Sequence, residues 1–178
     1  AVTILAADGS QITPDRNNPV QFGAINVGAI RLHSGEVARE VVQSRLLFDD
    51  EIRTVEGYLS DDVVALMRDL EERKVQAELA KQEDQPVVTL TDGPLELFHG
   101  GRDDKEFGPR LAEYKKVLGS LAEMSAVTAG YVDKPRSDLV VRLLELVVLL
   151  REGEMEEAGR KHPLFPVSDY DLLSGLLK

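Results

Sequence analysis

The sequence predicts an α/β layered domain built on a mixed sheet. Short apolar runs alternate along the chain with longer stretches in which apolar residues recur at helical spacing. Two of the runs, Leu5-Ala6-Ala7-Asp8-Gly9-Ser10 and Val87-Val88-Thr89-Leu90-Thr91-Asp92-Gly93-Pro94, end in Asp-Gly. Each reads as a buried strand that stops where glycine lets the chain turn, with a carboxylate at its tip. Strands that alternate with helices bury their apolar faces by layering helices on the sheet.

Taken in order, Val2 to Ala7 reads as the first strand. Gln11 to Pro19, polar with two prolines and two asparagines, reads as a loop. Phe22 to Leu32 is the second strand, antiparallel to the first. Val37 to Phe48 fits neither period cleanly, and Asp49 to Gly57 is a short acidic stretch. Ser60-Asp61-Asp62 opens a helix, because Ser60 can cap it and both acids sit in its electropositive first turn. Val63, Leu66, Met67, Leu70 and Ala77 carry that helix to about Lys81. Gln82 to Pro86 turns into the strand Val87 to Thr91, with Leu95 to Phe98 as a continuation past a bulge. His99 to Pro109 reads as a charged, Gly-rich loop. A helix over Phe107 to Met124, a strand over Val127 to Val132 and an apolar helix over Asp138 to Leu150, capped by Ser137 or Asp138, follow. Gly153 to Lys161 reads as a solvated charged stretch, and His162 to Asp171 as an extended loop.

A length of 178 residues, 43% of them hydrophobic and 30% charged, suits one soluble domain with a sizeable core. The absence of cysteine excludes disulfides, thiolate metal sites and cysteine nucleophiles, and fits a reducing cytoplasm. The longest apolar run, Leu143 to Leu150, is broken by Glu145 and falls far short of the roughly 20 residues of a membrane span. The net charge of −11 argues against a general nucleic-acid binder, so any DNA must be held by a local basic patch, a missing segment or a partner. The chain starts at Ala1 inside a strand-like run and stops just after a helix-like one, Tyr170 to Leu177. The expectation is one domain over 1–178, incomplete at its C-terminus.

Two strand-tip carboxylates side by side are what a hard divalent cation needs, and such a site cleaves phosphodiesters by activating water. Asp8 and Asp92 are the candidates; each also reads as an Asp that caps its own turn. Asp92-Gly93-Pro94-Leu95 resembles the end of a phosphatase motif, but the nucleophilic position two residues earlier is Leu90, which excludes that chemistry. Glu71 and Glu72 lie mid-helix, where a charge run is ordinarily a solvated face and Arg68 can pair with Glu72. Their helix precedes the Asp92 strand and must pack on the sheet. Lys134 and Arg136, with Tyr131, follow the third small-residue strand and read as a phosphate clamp or as a plain Pro turn. His33, His99 and His162 have no metal-ligand spacing. Ser10 has no positioned histidine, and no Walker-type loop is present.

Four segments in order, Ala7 to Ser10, Arg68 to Glu72, Leu90 to Leu95 and Gly130 to Ser137, resemble the NurA nuclease domain, and the match extends through Phe22 to Gly28. The resemblance implies a ribonuclease H-like α/β fold, a mixed sheet flanked by helices whose acids bind two divalent cations, Mn²⁺ or Mg²⁺. It implies a DNA nuclease, with exonuclease and single-strand endonuclease activity. Such an enzyme would work as a homodimer beside a HerA-type hexameric ATPase in DNA end resection and double-strand break repair. Asp8 then matches the first-strand acid, Glu72 rather than Glu71 the helical acid, and Asp92 the later strand acid. Lys134 would serve catalysis, and Tyr131, Lys134 and Arg136 would contact substrate. The family's domain continues with further strands and a late Asp or His; Asp169 and Asp171 are the late acids available here. The alternative is a non-catalytic module of the same fold that docks to a DNA-motor ATPase.

Overall fold

The structure, a computed structural model, describes residues 1–15, 17, 19–54, 57–84, 86–93, 95, 105–132, 137–153 and 166–176. The chain divides into two compact units, 1–131 and 132–178.

The first unit holds a five-stranded sheet. Its strands are β1 (Thr3–Ile12), β2 (Gly23–His33), β3 (Arg39–Leu47), β6 (Val87–Asp92) and β7 (Val127–Tyr131), in the order β3-β2-β1-β6-β7. β1 is central, antiparallel to β2 and parallel to β6, so the sheet is mixed as expected. A two-stranded ribbon, β4 (Arg53–Thr54) and β5 (Gly57–Tyr58), precedes α1 (Asp61–Ala80). Ser60 caps α1 as read from the sequence: its Oγ accepts from the Val63 amide at 3.4 Å, and Asp61 and Asp62 face the helix dipole. α1 packs on β1, β2 and α2 (Phe107–Glu123). The core between sheet and helices contains Leu5, Ile25, Val27, Leu66, Leu70 and Leu121.

Strand period decides which side chains meet the helices. Thr3, Leu5 and Ala7 of β1 are buried towards them, as are Val87, Thr89 and Thr91 of β6. The alternate residues Asp8 and Asp92 therefore stand on the opposite face of the sheet, and both are exposed.

Three expectations need correction. β1 does not turn at Asp8-Gly9; it runs on to Ile12, because β2 pairs with it all the way from Asp8↔Gly28 to Ile12↔Ala24. The ambiguous stretch around residues 37–48 is the edge strand β3, paired with β2 from Gly23↔Leu47 to Arg31↔Arg39. The helix-like run Tyr170 to Leu177 is indeed a helix, α4 (Asp169–Leu176), and it takes in the last residues, Asp169 to Asp171, of the expected 162–171 loop.

The second unit contains α3 (Leu139–Glu152) and α4. Asp138 occupies the N-cap of α3 without a side-chain capping bond. Ser137, the other expected cap, accepts from the Leu139 amide at 3.4 Å, and Asp169 adds to it from a distance: its Oδ1 accepts from the Val141 amide at 2.9 Å and its Oδ2 from the Ser137 hydroxyl at 2.8 Å. Gly153 ends α3 in the left-handed conformation, φ 77°. No helix among the described residues is long and apolar enough to cross a membrane.

Candidate metal centre

The β1–β6 ladder ends at Ala7↔Thr91. The next residues on the two parallel strands are Asp8 and Asp92. Both line one open cleft of about 430 Å³, together with Tyr131, Gly28, Leu90 and Val42. The structure thus brings together the two strand acids that the sequence singled out.

Asp92 is held by a local device. Gly93 turns with φ +90°, and its amide donates to the Tyr131 carbonyl at 2.7 Å. Gly130 lies against that turn: a Cβ there would meet the Gly93 carbonyl oxygen at 2.6 Å. Any larger residue at position 130 would push the segment that carries Asp92. Tyr131, the last residue of β7, faces Asp92 in register.

Glu72 approaches from the helix side. It is 7% exposed, and a Cβ on residue 9 would lie 2.7 Å from Glu72 Oε1. Gly9 is therefore needed for close approach of helix to strand, not for a turn. Arg68 Nε stands 3.4 Å from Glu72 Oε1, while Asp69 Oδ1 accepts from Arg68 Nη2 at 2.7 Å and from Nε at 3.2 Å. Burial pushes the Glu72 carboxyl up to about 7, and the charges of Asp69 and Asp8 push the same way against Arg68 and Arg73. Glu71 points elsewhere, to Lys74 at 3.0 Å and Arg45 at 3.8 Å.

Lys134 and Arg136 lie outside the described residues, as do His99 and His162. Of the late acids, Asp169 caps α3, and Asp171 accepts from the Ser168 hydroxyl at 2.7 Å and its amide at 3.1 Å. The local sequence does not single out Asp69; its role emerges from its contact with Arg68.

The donor set suits a divalent cation in kind: three carboxylates, all hard oxygen donors, with Gly9 leaving room for Glu72 Oε1 beneath β1. As the side chains stand, no three His, Cys, Asp or Glu residues among those described are gathered into a ready ligand cluster. Asp8 and Asp92 share the cleft, whereas Glu72 does not line it.

The sequence model of the NurA domain matches residues 2–178. Among solved structures, the NurA nuclease from Sulfolobus solfataricus superposes with a TM-score of 0.52 at 10% identity, over 76% of this chain and 48% of that one. Ribonuclease H1 from the halophilic archaeon Halobacterium salinarum aligns with a TM-score of 0.42 at 11% identity, over 75% of this chain and 87% of that one. No curated protein matches the sequence. This chain spans about half the length of the Sulfolobus protein, 48%. The expected ribonuclease H-like class agrees with the central β1, its antiparallel hairpin on one side and its parallel strands on the other. With the domain model covering nearly the whole sequence, the chain belongs to the NurA domain family, whose Sulfolobus member is a nuclease.

Proposed function

We propose that this chain carries the acidic centre of a metal-dependent deoxyribonuclease. The observation that carries the reading is the placement of Asp8 and Asp92 on adjacent parallel strands, in one cleft, with Glu72 beneath Gly9. Asp8, Glu72 and Asp92 would hold two divalent cations, Mn²⁺ with Mg²⁺ as the alternative. Bound there, the ions would activate water and stabilise the leaving oxygen. Tyr131 stands at the cleft to meet substrate, and Lys134 and Arg136 would add phosphate contacts that offset a net charge of −11. The substrate is DNA, cut as exonuclease and single-strand endonuclease. The setting is cytoplasmic DNA end resection and double-strand break repair by a homodimer with a HerA-type hexameric ATPase.

The test is digestion of end-labelled single- and double-stranded DNA with Mn²⁺, Mg²⁺ or EDTA, comparing this chain with Asp8→Ala and Asp92→Ala. Metal-dependent cleavage should fall by at least about 100-fold in either variant with little loss of folding, because both side chains are exposed. Undiminished cleavage by either variant refutes the ligand assignment.

A second reading is favoured by the acids' failure to gather among the described residues and by the net charge of −11. It is a non-catalytic module that docks to a motor ATPase. It predicts no metal-dependent rise in melting temperature and a partner-dependent one.

A further inference from the structure

We propose that Arg68 is a built-in counter-cation of the acidic centre, a positioning residue that latches Glu72 on the helix side of β1 until a divalent cation displaces it. The inference rests on the reading of Glu72 as a metal ligand.

An i,i+4 Arg–Glu pair is ordinarily a solvated surface contact. This one is not. Glu72 is buried, and the Arg68 stem is pinned beneath β1, its Cγ and Cδ lying 2.7 and 3.1 Å from where a Cβ on residue 9 would sit. The guanidinium reaches Glu72 from this partly exposed stem, with Nε 3.4 Å from Oε1. Asp8 is close enough for its charge to act on both Arg68 and Glu72.

The two contacts of the guanidinium are unequal. Asp69 accepts hydrogen bonds at 2.7 and 3.2 Å, whereas Glu72 is engaged only through Nε at 3.4 Å. Glu72 can leave without unseating Arg68, because Asp69 keeps it. A divalent cation and a guanidinium at one carboxylate repel each other, so the Arg68–Glu72 contact and occupation by the ion weaken one another. Glu72 thus feels the charge of Asp8 from the helix side of the sheet without lining the cleft that Asp8 and Asp92 share.

The prediction concerns metal affinity, read from melting temperature against Mn²⁺ concentration and from calorimetric titration with Mn²⁺ alone. Arg68→Gln should lower the melting temperature in EDTA and shift the Mn²⁺ midpoint severalfold to lower concentration. Arg68→Lys, which keeps the charge, should retain a midpoint close to that of the parent chain. Asp69→Asn loosens the grip that competes for Arg68, so the guanidinium holds Glu72 more tightly and the midpoint rises. An Arg68→Gln midpoint that is unchanged or raised overturns the proposal. If Arg68→Gln fails to fold, an Asp69→Asn midpoint that stays put or falls overturns it equally. A parent chain with no Mn²⁺-dependent melting shift removes both the latch and the metal reading; a parent shift with an unmoved Arg68→Gln midpoint removes the latch alone.

Discussion

The two ends of β1 hold polar groups in opposite conditions. At Thr3 the network is complete. The Thr3 hydroxyl donates to Glu83 Oε2 at 2.8 Å and pairs with His33 Nδ1 at 2.9 Å. Arg31 reaches both Glu83 oxygens, at 2.5 and 2.9 Å, and its remaining arm meets Glu36 at 2.7 Å. The Arg31 guanidinium accordingly holds the Glu83 carboxyl below the usual carboxylate range. At Asp8 and Gly9 the buried Glu72 carboxylate stands 3.4 Å from Arg68 Nε, and its pKa is pushed up to about 7. The first end ties the α1–β6 turn to β2 and serves stability. The second leaves negative charge undercompensated beside an open cleft, a condition that a bound cation would relieve and that structural packing alone does not require.

The largest expected effect on folding comes from breaking the satisfied end. Glu83→Ala leaves Arg31 without its main partner and removes the acceptor of the Thr3 hydroxyl. Its melting temperature should fall further than that of any substitution at the Gly9 end, with the Mn²⁺ midpoint unmoved. Equal melting temperatures for Glu83→Ala and the parent chain would show that the network is decorative and erase the contrast.

Gly9→Ala strikes the other end. The new methyl would lie 2.7 Å from both Glu72 Oε1 and Arg68 Cγ, so Glu72 must move or the helix must lift. Overpacking of this kind costs about 1–3 kcal/mol. The functional loss should be the larger one, since the displaced group is the helical ligand candidate. DNA cleavage and Mn²⁺ midpoint are the readouts. A variant that binds Mn²⁺ and cuts normally would mean that Glu72 can leave its place without consequence.

The same contrast shows what the sequence could tell. Asp8-Gly9 and Asp92-Gly93 are the same dipeptide after the same kind of apolar run, yet only the second is a turn. Gly93 has φ +90°, whereas Gly9 lies within a continuous strand because β2 continues to pair with it. The acids were legible because strand period and position fix their face. The role of Gly9 was not, because it depends on Arg68 and Glu72, some sixty residues away. β3 was ambiguous because an edge strand with Val42 and Leu46 exposed lacks the alternation of a half-buried one. Asp169, read as a late acid, caps α3 through Val141, a pairing 28 residues apart that no local pattern announces.

The smallest expected effect is also the most specific. Glu72 has a folded pKa near 7 against an ordinary 4.5, so between those values the folded protein binds more protons than the unfolded chain. Stability of the metal-free protein should therefore fall as pH rises from about 4.5 to about 7 and level off above. Glu83, with its lowered pKa, has the opposite sign: its contribution is present above the unfolded pKa and lost as pH falls through the folded one. Glu72→Gln removes the first slope and leaves the second. In EDTA the variant should match the parent at pH 4.5 and exceed it at pH 7.5 by on the order of 1 kcal/mol, the lost Arg68 contact offsetting part of the gain. Melting curves across that range decide it. A Glu72→Gln profile parallel to that of the parent would mean that the buried carboxylate is already compensated, and the two ends of β1 would then be alike.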